Sequence, residues 1–357
     1  HGYYIQDYTL IDQNMGTTND LKTFIDTAHA KGIRVVFDIV MNHPGYNTHQ
    51  DMNQYQFGTL YAGWENATVN NYHDFIDYNA STWVNWWGPQ WLRAGLPGYS
   101  APGGDELTKS VGDLPDFKTE STEHVGLPAF YARKSDTKAV YMPNTTVRGY
   151  LIKWLTDWVR SYGVDGFRVD TAKHVELAGW SALKSAAVQA LRDWKAANPA
   201  KKLDDLDFWM TAEAWGHGVG KSEYHTQGGF DSVINFSFQG AASGALGNLG
   251  NIEGTYSYYA SSINSDPTWN VLSYLSSHDT SLFFANYAGN NNENQKKAGT
   301  ILLLTPGGVQ IFYGDECAWA LGPDCTEQEQ RTRSSMPWPG NSDVLAHWQQ
   351  TGQLRNR

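Results

Sequence analysis

Cysteine is nearly absent: Cys317 and Cys325 are the only two in 357 residues. Their number and spacing exclude a zinc or dithiol redox motif. They either close a short disulfide loop in an oxidising compartment or remain two buried thiols. The turn-forming Gly322-Pro323-Asp324 between them favours the loop. Long apolar runs are missing as well; Ile301 to Leu304 is cut by Thr305-Pro306-Gly307-Gly308, so no segment reaches membrane-spanning length. Positive charge is scarce, with 26 Lys and Arg against 37 Asp and Glu, a net charge of −11. Without a basic cluster the chain has no footprint for nucleic acid or an anionic membrane surface. Internal repeats and low-complexity tracts are also lacking.

Aromatic residues are abundant instead. Fifteen tryptophans and twenty tyrosines suit a neutral ligand with flat apolar faces and polar edges, a description that sugars meet. The hydrophobic share of 41% is enough for one barrel or two ordinary domains. Thr17 to Lys31 carries Leu21, Phe24, Ile25 and Ala28 at helical spacing and ends at Gly32. Val35 to Asn42 then reads as a buried strand. Residues 44 to 144 hold no long amphipathic helix but are dense in Gly, Pro, Asn and aromatics. A plain loop of that length is uncommon, so a small inserted lid domain is expected.

Beyond it, Val147, Leu151, Trp154, Leu155, Trp158 and Val159 mark a helix, with Gly163 placed as its C′ glycine. Further strands are expected at Val164–Asp170, Phe208–Glu213, Phe230–Phe236, Val271–Ser277 and Val309–Tyr313. Helices are expected over about Ala178–Ala197, Asn294–Leu304 and Val344–Leu354. Strands alternating with helices imply βα units and a parallel sheet. The predicted domains are 1–43 as the first part of a barrel, 44–144 as the lid and 145–357 as the remainder.

Polar residues collect where these strands end. Asp38, Asn42 and His43 end the first, Arg168 and Asp170 the next, Glu213 another, and His278 and Asp279 a later one. In a (β/α)₈ barrel the active site lies on that face, built from several strand ends. A lone Arg-x-Asp is more often a structural ion pair; three acids with two histidines and an arginine make a constellation. Alternation along a strand puts Arg168 and Asp170 on one face, where the cation favours the ionised acid. Glu213, beside Ala214 and Trp215, is placed to be desolvated and shifted up. Two carboxyls whose environments push them apart in this way can divide acid and base roles between them.

Asp38 to His43, Gly166 to His174, Glu213-Ala214-Trp215-Gly216 and Ser276-Ser277-His278-Asp279 resemble, in order, the four signature regions of the α-amylase family of glycoside hydrolases. Leu114-Pro115-Asp116 resembles a fifth, and His1 to Asp7 the family's second strand end. The wording is closest to periplasmic or secreted bacterial members. The resemblance implies Asp170 as nucleophile, Glu213 as general acid/base and Asp279 as stabiliser of the transition state. Arg168, His43, His278 and Tyr3 would surround the innermost sugar, with Lys173 and His174 on the leaving-group side. It also implies a structural Ca²⁺ held by Asn42, Asp116 and the His174 carbonyl, oxygen donors that a hard cation prefers. Asp105 and Asp113 are candidates for a further calcium cluster.

Two departures narrow this. Ser277 stands where chloride-dependent members carry Asn, so no chloride site is expected, and Phe117 follows Leu-Pro-Asp where Leu or Ile is common. The Gly216–Ser222 run mimics a P-loop but is one residue short, with no amphipathic helix after it. The expected activity is retaining endo-hydrolysis of α-1,4-glucosidic bonds in starch, glycogen and maltooligosaccharides. Alternatives are a cyclodextrin- or pullulan-cleaving hydrolase, a transglycosylase, or a non-catalytic carbohydrate-binding relative. A monomer acting on α-glucan in the periplasm or outside the cell is expected. Six strands are expected where a barrel closes with eight, so the chain should be part of a longer protein with exposed, aggregation-prone sheet edges.

Overall fold

The computed structural model describes residues 2–64, 75–320, 332–336 and 338–357. The chain forms two compact units, His1–Glu213 with Gln227–Phe230, and Ala214–Thr226 with Asp231–Arg357.

In the first unit, α1 (Thr18–Ala30) starts with a capping box in which Thr17 and Asp20 satisfy each other's backbone N–H groups. Its buried face is Ile25, Ala28 and His29; Phe24, expected in that stripe, is 60% exposed. Strand β1 (Val36–Ile39) follows, then α2 (His49–Tyr55) and the antiparallel pair β2 (Leu92–Arg93) and β3 (Asp116–Phe117). Helix α3 (Val147–Tyr162) ends at Gly163, whose φ of +77° is the left-handed conformation a C-terminal glycine supplies. A Cβ there would also meet the Trp194 ring at 2.5 Å. Strand β4 (Gly166–Val169), α4 (Leu177–Ala197) and β5 (Trp209–Ala212) complete the unit, with α3 packed on α4.

Strand β4 lies between β1 and β5, parallel to both. Among the described residues β1 pairs only with β4, and Phe24, Ile33 and Val36 line an exposed groove between β1 and α1. At the N-terminal ends of the strands, the buried Asp165 carboxylate accepts from Val35 N–H and lies 2.8 Å from His29 Nε2, tying α1 to the sheet.

The described part of the 44–144 segment holds a cluster of buried aromatic rings. Trp83, Trp86, Trp87, Trp91, Phe57, Phe117 and Phe130 are all at most 2% exposed. Trp91 stacks on Trp154 of α3 with ring centres 5.7 Å apart and planes within 1°.

The second unit comprises α5 (Glu223–Thr226), β6 (Ser232–Asn235), α6 (Phe238–Gly247), α7 (Asn251–Ile263), β7 (Asn270–Tyr274), α8 (Phe283–Asn286), α9 (Asn292–Leu303), β8 (Gly308–Gln310) and α10 (Ser342–Arg355). Strand β7 is parallel to both β6 and β8. The core joins Phe238 and Ala242 of α6, Ile301 and Leu302 of α9, and Val344 and Trp348 of α10. Among the described residues the six expected strands are the six parallel strands found, each shorter than expected. Helices α6 and α7 were not expected. Cys317 is buried, and the proposed partner Cys325 lies outside the described residues. No described helix is long and apolar enough to cross a membrane.

Candidate active site

Parallel register arranges the candidate residues of the first unit. Asp38 on β1 sits opposite Arg168 on β4, which sits opposite Thr211 on β5. Asp170 and Glu213 are the next residues beyond the β4 and β5 ladders, and Glu213 N–H donates to Val169 O at 2.8 Å. Phe167 and Val169 point to the other face and are fully buried, as alternation requires.

The guanidinium of Arg168 is the hub. Its Nη1 donates to Asp38 Oδ1 and Asp170 Oδ1, both at 2.9 Å, and its Nη2 is 3.3 Å from Glu213 Oε2. Expected to hold Asp170 ionised and to line the innermost sugar, it touches all three of these carboxylates. Burial works against its charge, but Asp38, then Glu213, Tyr3 and Asp170, outweigh that and push its pKa further above the ordinary arginine value. Tyr3 donates to Asp38 Oδ2 at 2.7 Å, and the guanidinium carbon lies 5.8 Å from its ring centre. Burial, then the Asp38 charge, raises the Tyr3 phenol well above its ordinary value, so it stays a neutral donor.

Thr171 turns the chain just after Asp170. Its φ of +47° is unusual for a β-branched residue, and it aims Thr171 N–H at Glu213 Oε2, 2.8 Å away. Ala214 is buried as expected, whereas Trp215, expected to help shield the acid, is 53% exposed with its ring against Phe236.

His43 is buried 3.3 Å from Asn42, whose amide Nδ2 faces His43 Nδ1. Burial pushes this imidazole down to about 4, so at neutral pH it is uncharged. Accepting from Asn42 at Nδ1 leaves the proton on Nε2, available to a ligand. Asp170 and His174 both act on its charge, which brings these three within electrostatic reach. His174 Nδ1 lies 2.8 Å from the Glu106 carbonyl oxygen. Lys173 is half-buried beside it; after Lys109, both His174 and Lys173 help hold the Glu106 carboxylate low.

The second unit holds His278 and Asp279 beyond β7. His278 Nε2 is 2.8 Å from Asp279 Oδ2, and Arg333 donates to Asp279 Oδ1 at 2.6 Å. Asp38 and Arg333 were not singled out in the sequence as partners of the acids. Position at a strand end could have pointed to Asp38; nothing local points to Arg333, 54 residues from its carboxylate. The P-loop mimic is a loop, with Lys221 paired to Asp266 at 2.7 Å and only the four-residue α5 after it.

Residues 1–338 match the family of α-amylase catalytic domains. The chain belongs to the α-amylase family of glycoside hydrolases. It is 48% identical to the periplasmic α-amylase of Escherichia coli, an alignment covering all of this chain and 54% of that protein. It is 28% identical to an α-amylase of Streptomyces lividans, over 88% of this chain and 35% of that one. The chain thus spans about half or less of these relatives' length. The fold resembles the α-amylase of Geobacillus thermoleovorans, with a TM-score of 0.66 at 23% identity, covering 99% of this chain and 64% of that one. The α/β arrangement is therefore that of the family's (β/α)₈ barrel.

The calcium that family resemblance implies can be tested against the donor set. Asn42 Oδ1 and Asp116 Oδ1 are both buried without a hydrogen-bond donor among the described residues. Their segments touch, since Phe117 N–H donates to Asn42 O at 2.8 Å. Burial, against the Arg93 guanidinium 2.8 Å from its other oxygen, pushes the Asp116 carboxyl up to about 7. Two buried, unpartnered oxygens on adjoining segments fit a hard cation. Asp105 also acts on the Asp116 charge, while Asp113, at φ +60°, is exposed.

Proposed function

We propose that this chain carries the catalytic site of a retaining endo-hydrolase of α-1,4-glucosidic bonds in starch, glycogen and maltooligosaccharides. The observation that supports it most is the Arg168 hub, which binds Asp38 within β1 and Asp170 and Glu213 just beyond β4 and β5. Asp170, its Oδ1 held by the guanidinium, attacks the anomeric carbon as the carboxylate nucleophile. Glu213 protonates the departing glycosidic oxygen, then takes the proton from the water that hydrolyses the glycosyl-enzyme. Asp279 bears on the sugar hydroxyls as positive charge develops on the ring. His43 Nε2–H and His278 donate to the same sugar, and Tyr3, Lys173 and His174 flank it.

Residues 44–144 act as a lid domain over the barrel, with Asn42, Asp116 and the His174 carbonyl holding Ca²⁺ at its junction. That ion would supply rigidity to the segments bearing His43 and His174. The protein works in the periplasm, as the E. coli relative's name suggests, and we take it to act as a monomer. Maltoheptaose, cyclodextrin and pullulan digested side by side test the reading. Internal cleavage of maltoheptaose with products first released in the α configuration is expected. Faster turnover of cyclodextrin or pullulan, or products of inverted configuration, would overturn it.

A further inference from the structure

The β7–α8 connection, residues 275 to 282, carries His278 and Asp279 at its tip and is tied at both stems by buried side chains from elsewhere in the second unit. Ser276 Oγ donates to Asp315 Oδ1 at 2.5 Å and accepts the Phe283 N–H at 2.8 Å. One hydroxyl thereby joins the two ends of the loop and fixes both to Asp315. From α6, Gln239 Nε2 reaches Leu275 O at 2.6 Å, Ser281 O at 3.2 Å and Thr280 Oγ1 at 3.3 Å. Within the tip, Ser277 Oγ accepts from Asp279 N–H and Thr280 N–H.

Asp315 is itself anchored. It opens the short 3₁₀ turn beyond β8, its N–H donates to Phe312 O, and its carbonyl accepts from Gln295 Nε2 of α9 at 2.9 Å. Ser276 and Gln295 are fully buried and Asp315 is 4% exposed. A carboxyl so placed is costly: burial pushes it up to about 7, against the hydrogen bonds from Ser276 and Gln295 that favour its charged form. Packing alone would be served as well by an apolar residue there. An acceptor at Oδ1 makes sense if the position of the loop above it matters.

We infer that Asp315 is a positioning residue for Asp279, acting through Ser276 to hold the β7–α8 loop closed. This rests on the proposed role of Asp279 at the sugar. Misplacement of a reacting group by about 1 Å costs on the order of 100-fold in rate. In the full-length protein, Ser276→Ala and Asp315→Ala should lower kcat by about 10- to 100-fold with KM changed by less than about 3-fold, because the loss falls in the transition state. Asp315→Asn keeps an Oδ1 acceptor and should restore kcat to within about 3-fold of the parent. In an Asp279→Asn background, Ser276→Ala should add no further loss. Amide exchange at Phe283 should quicken in Asp315→Ala and stay slow in Asp315→Asn, a readout that does not depend on turnover. If Asp315→Ala fails to fold, Ser276→Ala, which removes one oxygen, decides alone. Folded Ser276→Ala with parental kcat, while Asp279→Asn is inactive, overturns this inference only. Near-normal turnover in Asp279→Asn overturns the reading of Asp279, and this inference with it.

Discussion

One guanidinium serving three carboxylates makes arginine hard to replace at position 168. Lysine would keep the charge but not the planar fork that reaches Asp38 and Asp170 from Nη1 and Glu213 from Nη2. Arg168→Lys should lower kcat by about 100-fold on maltoheptaose; a change below about 3-fold would show that the fork is unimportant. Asp170→Asn and Glu213→Gln should each remove several orders of magnitude of turnover and leave the circular dichroism spectrum unchanged. Near-normal activity in either one breaks that assignment. Thr171 is the costly neighbour: left-handed backbone on a β-branched residue, with a buried Oγ1 lacking a partner among the described residues. Relief of about 1–3 kcal/mol of strain exceeds the about 0.4–1 kcal/mol by which glycine favours the unfolded chain. Thr171→Gly should therefore melt about 2 °C higher while turning over more slowly, as the N–H facing Glu213 becomes less fixed. An unchanged or lower melting point refutes the strain. The acids were legible in the sequence because each ends a short β-prone run. Their partners were not: Asp38 and Arg168 meet across 130 residues through strand register, which no local pattern encodes.

At the scale of elements, the parallel strands were legible as short, β-branched, glycine-bounded runs, and α1, α3, α4, α9 and α10 by periodicity. Helix α6 escaped because Phe238–Gly247 is rich in glycine and alanine, with no polar face to set off its buried one. Helix α7 carries its buried Ile252, Tyr259 and Ile263 among Gly254 and a serine-rich run that reads as loop. The turn holding Asp315 was equally invisible, since Ser276 lies 39 residues away. That carboxyl leaves a signature in pH. Folded, it keeps its proton up to about pH 7; unfolded, it ionises near the ordinary value of about 3.9. The folded state thus binds the extra proton between those limits. Its contribution is complete below about pH 4, declines as pH rises from there, and levels off above about pH 7. Asp315→Asn should flatten this decline in denaturant midpoints measured across that range. A parallel pH profile in parent and variant would place the titration elsewhere.

For the whole molecule, the signature regions and their order led to the family, which the match over residues 1–338 bears out. If Asn42 and Asp116 hold calcium, the ion binds only the folded chain and adds about 2.7 kcal/mol at 100 times its dissociation constant. A chelator should lower the melting temperature and calcium should restore it; an unchanged melt in protein first shown to be metal-free sinks the site. The aromatic packing of the 44–144 segment gives that experiment its own instrument. Phe117, whose N–H donates to the Asn42 carbonyl, meets Trp87 with ring centres 4.9 Å apart, and the Trp91 ring lies parallel to that of Trp154. In optical terms these indoles are coupled chromophores shielded from water, giving blue-shifted emission and a strong near-ultraviolet dichroic band. Both signals should follow calcium occupancy and report the separation of this segment from α3 without any added label.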